Sequence, residues 1–333
     1  MMTCTITQPA RSAAKFLLCV IFLLNACIAT AGYEDREDVR KFIEMMRDEH
    51  GYRSETLHEW FSRVKQQKSS LSAIARPAEG LPWHKYRKIF ITEKRIRDGI
   101  RFWNENADTL ERAEKIYGVP AEIIVGIIGV ETFYGKHKGK YPVFDTLTTL
   151  GFDYPKRGRF FRKELKEYLL LIREENMDPF AMKGSYAGAV GKPQFISSSY
   201  RHYAVDFDGD GKRDLLNSTA DAIGSVANYF KAHKWKAGEQ VLVKARYNSS
   251  KPFPSFGMKP KKSVSELSKL GLFAQQPVKS SALAQPMRLD LGGDYAYYLG
   301  LHNFYVITRY NHSNLYAMAV YQLSQLIKQG KPE

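Results

Sequence analysis

The sequence predicts a mainly helical α+β protein with a helical core, a helical N-terminal domain and a small β-rich insertion. The first observation is an apolar run, 121–135, bounded by Pro120 and Gly135, which suit the two ends of a helix. Charged and apolar residues recur at helical spacing on both sides of this run. One segment, 237–307, has short β-type runs among Pro, Gly and Ser instead. We expect five segments, at 1–31, 32–120, 121–236, 237–307 and 308–333.

Segment 1–31 has the composition of a secretory signal peptide. Basic residues precede an apolar stretch, and residues 29–31 form a small-x-small cleavage signal. We favour cleavage before Gly32, which predicts a periplasmic protein. The alternative is a loose lipobox in which Cys27 is lipidated, and this would make the protein an outer-membrane lipoprotein.

The composition excludes thiol and disulfide chemistry in the mature chain, because all three cysteines lie in the leader. Lys and Arg outnumber Asp and Glu by 50 to 35, which gives a formal charge of +15 and favours an anionic partner. An exported protein meets the cell wall or a membrane surface, so we predict no nucleic-acid partner. We expect a monomer that associates with the membrane only if Cys27 is lipidated.

Segment 32–120 shows helical periodicity, with apolar residues every three or four positions from 39 to 46. A Pro and Gly break at 76–82 divides it. The basic and aromatic run that follows, 83–88, suits either a solvated helix face or the lining of a groove. We expect one helix from 95 to 117 to lead into the central helix.

Glu131 is the candidate catalytic residue. It lies one turn beyond Ile127 and Ile128, so its side chain projects from the apolar face of the predicted helix. Burial disfavours the charged form of a carboxyl and raises its pKa, which suits a general acid near neutral pH. The alternative is a glutamate at a helix end that reaches water or pairs with an arginine.

Two further stretches of segment 121–236 attract attention. Small residues from 184 to 191 allow close approach of the backbone or of a ligand, and Gln194 stands isolated just beyond them. The loop 206–214 has carboxylates at positions one, three and five and glycine at six, as in the first half of an EF-hand calcium loop. We expect a structural Ca²⁺ there, closed by Asp221. An acidic turn without metal is the alternative.

The segment 237–307 contains β-type runs at 241–243 and 304–307, which predict strands. The segment 308–333 then returns to the core, with a final helix from 315 to 328.

Four stretches in order resemble the membrane-bound lytic murein transglycosylase B family of peptidoglycan lytic transglycosylases. They are VETFYG at 130–135, GSYAGAVGKPQFISSSY at 184–200, DFDGDG at 206–211 with SVANYF at 225–230, and RYNHS at 309–313. The resemblance implies a lysozyme-like helical core. It also implies cleavage of the β-1,4 bond between N-acetylmuramic acid and N-acetylglucosamine, with a 1,6-anhydromuramic end formed without water.

The resemblance further implies Glu131 as the single catalytic acid and base. The residues that match the family's positions around the scissile sugars are Ser185, Gln194, Tyr229, Tyr310 and Asn311. Those that match its outer contacts are Tyr86 and Tyr316. Those that match its calcium site are Asp206, Asp208, Asp210, Asp221 and the carbonyl of Lys212.

This chain departs from the family at Lys156, Arg157 and Phe160, where two arginines and a tyrosine are common and the stem peptide is thought to bind. Arg157 stays a predicted substrate contact. Lysine cannot form the planar bidentate contact that arginine makes with a carboxylate, so the peptide preference stays open.

Ordinary glycosidases use two carboxylates, and no second one stands out beside Glu131 in these stretches. We hypothesise that Glu131 protonates the glycosidic oxygen and then takes the proton from the C6 hydroxyl of the sugar as it closes on C1. Tyr310 and Asn311 would orient the acetamido group, and Ser185 would hydrogen-bond Glu131. The rival hypotheses are a muramidase that uses water and a non-catalytic peptidoglycan-binding protein.

Overall fold

The structure is a computed structural model that describes residues 32–75 and 80–331. The predicted leader 1–31, with Cys27, lies outside the described residues, as does part of the break at 76–82. Within the described part of the chain, no helix combines the length and the apolar character needed to cross a membrane.

Six helices form the N-terminal part of the described chain. They are α1 Glu37–His50, α2 Ser54–Ser62, α3 Lys68–Ile74, α4 Trp83–Phe90, α5 Glu93–Glu105 and α6 Ala107–Tyr117. The predicted single helix from 95 to 117 is wrong, because α5 ends and α6 begins around Asn106. The Asn106 side chain donates to the carbonyl of Phe102 at 2.8 Å, and such local side-chain bonds compete with helix continuation.

Helix α7, Ala121–Thr132, is the central helix, and nearly every residue in it is buried. It ends at Thr132 and not at Gly135 as predicted, because Phe133 (φ 53°) and Tyr134 (φ 61°) both adopt left-handed backbone conformations. Their amides close the last turn on the carbonyls of Gly129 and Ile128. Glu131 therefore lies one residue before the end of the helix, where the chain turns sharply.

The helices around α7 complete the core. They are α8 Val143–Asp153, α9 Gly158–Glu174, α10 Ser197–Tyr203 and α11 Thr219–Ala232, with a two-residue strand pair, β1 Tyr141–Pro142 and β2 Lys183–Gly184. Helix α9 begins at Gly158. Gly158 makes this start possible, because a Cβ there would lie 2.9 Å from the carbonyl oxygen of Gly151.

A five-stranded antiparallel sheet lies in the predicted β-rich segment, in the order β4-β6-β7-β3-β5. The strands are β3 Leu242–Tyr247, β4 Lys262–Ser263, β5 Leu272–Ala274, β6 Leu283–Asp290 and β7 Tyr295–Gly300, with helix α12 Val264–Lys269 among them. The sheet and α12 share a small apolar cluster of their own, which includes Val243, Leu267 and Leu299.

The last two helices are α13 His302–Tyr310 and α14 Asn314–Gly330. The predicted strand at 304–307 is wrong, because these residues lie in α13, where Phe304 and Ile307, one turn apart, are both fully buried. Helix α14 packs against α4, α5, α7 and α13. The two helices are tightly packed at Gly126 of α7, where a Cβ would lie 3.1 Å from the Val320 carbonyl oxygen of α14. Helix α14, the last described helix, is thus part of the central core.

Candidate active site

Glu131 is held by a tyrosine from the other end of the chain. The hydroxyl of Tyr316, in the first turn of α14, donates to Oε1 of Glu131. Tyr316 is buried, and Ser313 caps its helix by accepting from the Tyr316 amide at 3.2 Å. Within residues 32–75 and 80–331, no lysine, arginine or histidine forms an ion pair with Glu131.

The surroundings of Glu131 tune its acidity. Burial raises the pKa of Glu131 to about 7, and the hydrogen bond from Tyr316 acts in the opposite direction by favouring the ionised form. Near neutral pH the carboxyl is therefore populated in both protonation states. A group with this pKa can donate a proton in one step and accept one in the next.

Three aromatic side chains, Phe195, Tyr229 and Tyr310, pack together near Glu131 and are called the aromatic wall below. The rings of Tyr229 and Tyr310 meet edge to face with centroids 4.8 Å apart, and Phe195 lies 5.9 Å from Tyr310. The hydroxyl of Tyr310 donates to the carbonyl of Pro193 at 2.7 Å, and that of Tyr229 to the carbonyl of Arg309 at 2.6 Å. Burial raises the pKa of Tyr310, and the charge of Glu131 adds to the rise, which shows that the two groups are close.

The structure thus brings the predicted Tyr229 and Tyr310 together, with Tyr310 close to Glu131. Phe195 joins them, and the sequence analysis missed it. Its only signal in the sequence was its position directly after Gln194.

Gln194 lies in a tight turn with a left-handed backbone, φ 53°. Its Nε2 donates to the carbonyls of Gly191 at 2.9 Å and Lys138 at 3.1 Å. Gly191 is also left-handed, and a Cβ there would lie 2.4 Å from the Leu215 carbonyl oxygen. Backbone strain of this kind is common at functional sites. Gln194 is fixed by two of its own donors, which leaves its amide oxygen for a ligand.

Ser185 and Tyr316 differ from expectation in their contacts with Glu131. The predicted hydrogen bond from Ser185 to Glu131 is absent from the described residues, and Ser185 Oγ instead accepts from the amides of Ala187 at 3.3 Å and Ala189 at 3.1 Å. Tyr316, expected as an outer contact, is the residue that bonds Glu131. The other expected outer contact, Tyr86, is buried in α4 and adds to the raised pKa of Tyr316.

Asn311 and Arg157, the two remaining predicted substrate contacts, have different surroundings. Asn311 is half-buried directly after α13, next to Tyr310, and its side-chain amide has no hydrogen bond within the described ranges. Arg157 is exposed before α9, with its guanidinium 4.2 Å from the ring centroid of Phe160. No contact of Arg157 with Glu131 or with the aromatic wall occurs among the described residues.

The candidate metal loop has the expected convergence of oxygens. Carboxylate oxygens of Asp206, Asp208 and Asp210 all lie within 4.8 Å of one another. Gly209 and Gly211 have left-handed backbones, and their amides donate to Asp206, which folds the loop around that carboxylate. Three converging carboxylates fit a hard cation such as Ca²⁺.

Asp221, the expected closing ligand, is fully buried beneath the loop. Its Oδ1 accepts from the amide of Phe207 and its Oδ2 from that of Asp214, each at 2.7 Å. In this structure Asp221 anchors both ends of the loop and stands apart from the cluster of three carboxylates. Lys212 follows the cluster, and its amide donates to Asp210 at 2.9 Å.

Lys192 connects this loop to the helix end that bears Glu131, and the sequence analysis missed it. Its amide donates to the carbonyl of Leu215 at 2.9 Å, and its Nζ donates to the carbonyl of Asn217. Its own carbonyl accepts from the hydroxyl of Thr132 at 2.8 Å. A chain of hydrogen bonds through Lys192 therefore joins the residues that follow the metal loop to Thr132, the residue after Glu131.

The fold and this site define an acid–base enzyme of the lysozyme-like class. The family model described as "Transglycosylase SLT domain" matches residues 34–325. This chain therefore belongs to the transglycosylase SLT family.

Similar proteins agree with this assignment. Membrane-bound lytic murein transglycosylase B of Escherichia coli K12 is 47% identical over 305 residues, which cover 89% of this chain and 84% of that protein. The structure of catenated lytic transglycosylase SltB1 from Pseudomonas aeruginosa superposes with a TM-score of 0.87 at 49% identity, over 90% of this chain and all of that one. The E. coli lytic transglycosylase Slt35 in complex with calcium gives a TM-score of 0.83 at 47% identity, over 89% and 94% of the two chains.

Proposed function

We propose that this protein is a peptidoglycan lytic transglycosylase. It cleaves the β-1,4 bond between N-acetylmuramic acid and N-acetylglucosamine and leaves 1,6-anhydromuramic acid ends. The observation behind this proposal is the isolation of Glu131, a carboxyl with a pKa of about 7. Within residues 32–75 and 80–331, no other Asp or Glu contributes to that pKa, whereas glycosidases that use water place a second carboxylate nearby.

The reaction needs one group that acts twice. Glu131 donates its proton to the glycosidic oxygen as the bond from C1 to that oxygen breaks, and the N-acetylglucosamine side leaves as an alcohol. The acetamido group of the muramic acid stabilises the positive charge at C1. The Glu131 carboxylate then removes the proton of the C6 hydroxyl while O6 bonds to C1. Glu131 ends protonated, as it began, and no water is consumed.

The neighbouring residues position these partners. Tyr316 fixes the carboxyl through its hydroxyl, which keeps Oε1 in one place through both proton transfers. The free side-chain amide of Asn311 and the aromatic wall of Tyr229 and Tyr310 suit the acetamido group and the sugar ring. The half-buried Gln194 offers its amide oxygen to a sugar hydroxyl.

Calcium has a structural role in this proposal. Asp206, Asp208 and Asp210 hold the ion, and the Lys212 carbonyl stands next in the loop. The loop reaches Glu131 through Lys192 and Thr132, so an ordered loop keeps the helix end in place. The ion takes no part in the proton transfers.

The site of action follows from the leader in the sequence. After removal of residues 1–31 the enzyme works as a monomer on glycan strands in the periplasm, and lipidation of Cys27 is the alternative that would hold it at the outer membrane.

Digestion of purified murein, followed by mass analysis of the muropeptides, tests this function. Wild-type protein should yield fragments lighter by one water than hydrolysed ones, with no new reducing ends, and Glu131→Gln should yield at most traces of them. New reducing ends would instead indicate a muramidase. Binding of murein without any products would indicate a binding protein.

A further inference from the structure

A second cleft lies outside the site described above. It has a volume of about 400 Å³ and opens between α4, α14 and one face of the sheet. The side chains that define its chemistry are Arg87, Lys244, Gln276, Tyr298, Gln322 and Gln325. Neither Glu131 nor any residue of the aromatic wall lines it. Clefts of this size accommodate small ligands.

The cleft is positively charged. Arg87 and Lys244 line it, and no Asp or Glu does. Neither cation has an ion-pair partner in the described residues. Lys244 of β3 stands directly opposite Tyr298 of β7, so the two side chains share one face of the sheet. Arg87 acts on the same phenol from α4, and its charge opposes the rise in the pKa of Tyr298 that burial causes.

Amide groups surround these two charges. Oε1 of Gln276 accepts from the backbone amide of Lys244 at 2.9 Å, which fixes the side chain and leaves its NH₂ group to donate. Gln322 has no side-chain hydrogen bond among the described residues, and Gln325 has only a long one, 3.5 Å, to Ser324. A guanidinium, an ammonium and several free amides form a set of donors that matches carboxylates.

We propose that this cleft binds a peptide that bears carboxylates, namely the stem peptide of a wall strand. The positive charge of the cleft alone indicates an anionic ligand. That this ligand is the stem peptide rests on the proposed function. The two sites are on the same helices. Tyr86 of α4 precedes Arg87, and α14 contributes Tyr316 to one site and Gln322 to the other. A stem peptide held in the cleft gives the enzyme a second attachment to cross-linked murein and raises its effective affinity.

Titration calorimetry with the free peptide Ala-γ-Glu-diaminopimelate tests this proposal, in a Glu131→Gln background that requires no turnover. The cleft variant is Arg87→Gln with Lys244→Gln, both exposed positions that leave the core intact. The control is Arg40→Gln with Lys115→Gln, which removes the same two charges from exposed positions on α1 and α6. We expect binding to weaken at least tenfold in the cleft variant and to stay unchanged in the control.

Three outcomes would overturn the proposal: no peptide binding to the parent protein, equal affinity in the cleft variant and the parent, or an equal loss in the control. Titration with inorganic phosphate distinguishes a peptide site from a general anion site. If phosphate bound as tightly as the peptide and displaced it, the assignment to a peptide would also be overturned. Since the titration involves no bond cleavage, its failure leaves the murein digestion, and hence the proposed function, to be judged separately.

Discussion

Glu131 and Asp98 are carboxylates on two helices that pack together, α7 and α5, yet their surroundings differ. Asp98 accepts hydrogen bonds from Lys136 and Lys94, which hold its pKa at about 2, and Arg101 also pairs with it. Glu131 accepts one bond from a neutral tyrosine, and burial raises its pKa to about 7. Asp98 is thus ionised at neutral pH, whereas Glu131 exchanges protons there.

Several cations lie close to the end of α7 that bears Glu131. Phe133, two residues after Glu131, has three cations around its ring, with Lys94 at 5.0 Å, Arg95 at 4.7 Å and Lys136 at 5.3 Å from the centroid. Asp98 binds two of the three, Lys94 and Lys136. Among the described residues, Asp98 thus holds two of these cations in ion pairs, and none of the three pairs with Glu131.

Removal of the reactive carboxyl should have the largest effect. We expect Glu131→Gln to lower the rate of murein cleavage by a factor of about 10²–10⁴, because general acid–base catalysis is worth that much. The glutamine oxygen can still accept from Tyr316, so binding of glycan strands should remain. Measured rates within a factor of two of wild type would contradict the assignment.

The same variant should be more stable than wild type at alkaline pH. The folded pKa of about 7 lies above the ordinary value of a glutamate, so the wild-type protein loses stability as the pH rises from the ordinary value through 7. We expect Glu131→Gln to gain on the order of 1–3 kcal/mol of unfolding free energy at pH 8 and little at pH 4. Thermal melts at the two pH values measure this difference.

Removal of the Tyr316 hydroxyl should make Glu131 less acidic and so increase the difference in pKa between Glu131 and Asp98. The hydrogen bond from Tyr316 lowers the pKa of Glu131, so Tyr316→Phe should raise it and move the alkaline limb of the pH–rate profile to higher pH. We expect the maximal rate to fall about tenfold, as loss of one hydrogen bond to a charged group implies. Tyr310→Phe is the matched control, because it loses a bond to Pro193 and should leave the limb in place. A limb that shifts to lower pH would exclude this role for Tyr316.

The metal loop adds a third kind of carboxylate, a cluster of three that would hold the proposed Ca²⁺. We expect Ca²⁺ at about 100 times its dissociation constant to stabilise the protein by about 2.7 kcal/mol, measured as a rise in melting temperature. Asp208→Asn should abolish most of the rise, whereas Asp108→Asn, at an exposed position of α6, should retain it. An equal rise in both variants would place the ion elsewhere.

The smallest effect should come from Asp98. Asp98→Asn should cost on the order of 1 kcal/mol at pH 7, because its cationic partners are largely exposed. The folded pKa of about 2 is below the ordinary value, so this contribution is complete above pH 4 and is lost as the pH falls through 2. Melting curves of wild type, Asp98→Asn and Asp108→Asn from pH 7 to pH 2 test it. A difference that grows in acid would be inconsistent with the pairing.

Sequence patterns correctly predicted the features that depend only on the spacing of nearby residues. Spacing in the apolar run identified a buried helix and placed Glu131 at its end, and the DFDGDG stretch predicted the converging carboxylates. The same reasoning failed at 304–307, where a short apolar run is compatible with a strand or a buried helix and packing in the core selects the helix.

The contact between Glu131 and Tyr316 could not be predicted from spacing, since the two residues are 185 positions apart. The sequence also contained no sign of the role of Lys192, because its contacts run through the backbone of two distant loops. Motif order placed Tyr310 and Tyr316 in the site, but only the packing of α14 on α7 shows which of them bonds the acid.

The placement of α13 and α14 at the end of the described chain also has a consequence during synthesis. A ribosome completes Glu131 long before it adds Tyr310, Asn311 and Tyr316. A nascent chain, or a product truncated before residue 302, therefore contains the acid but not the hydroxyl that orients it. The complete site therefore forms only after the last two helices have been made and α14 has packed against α7.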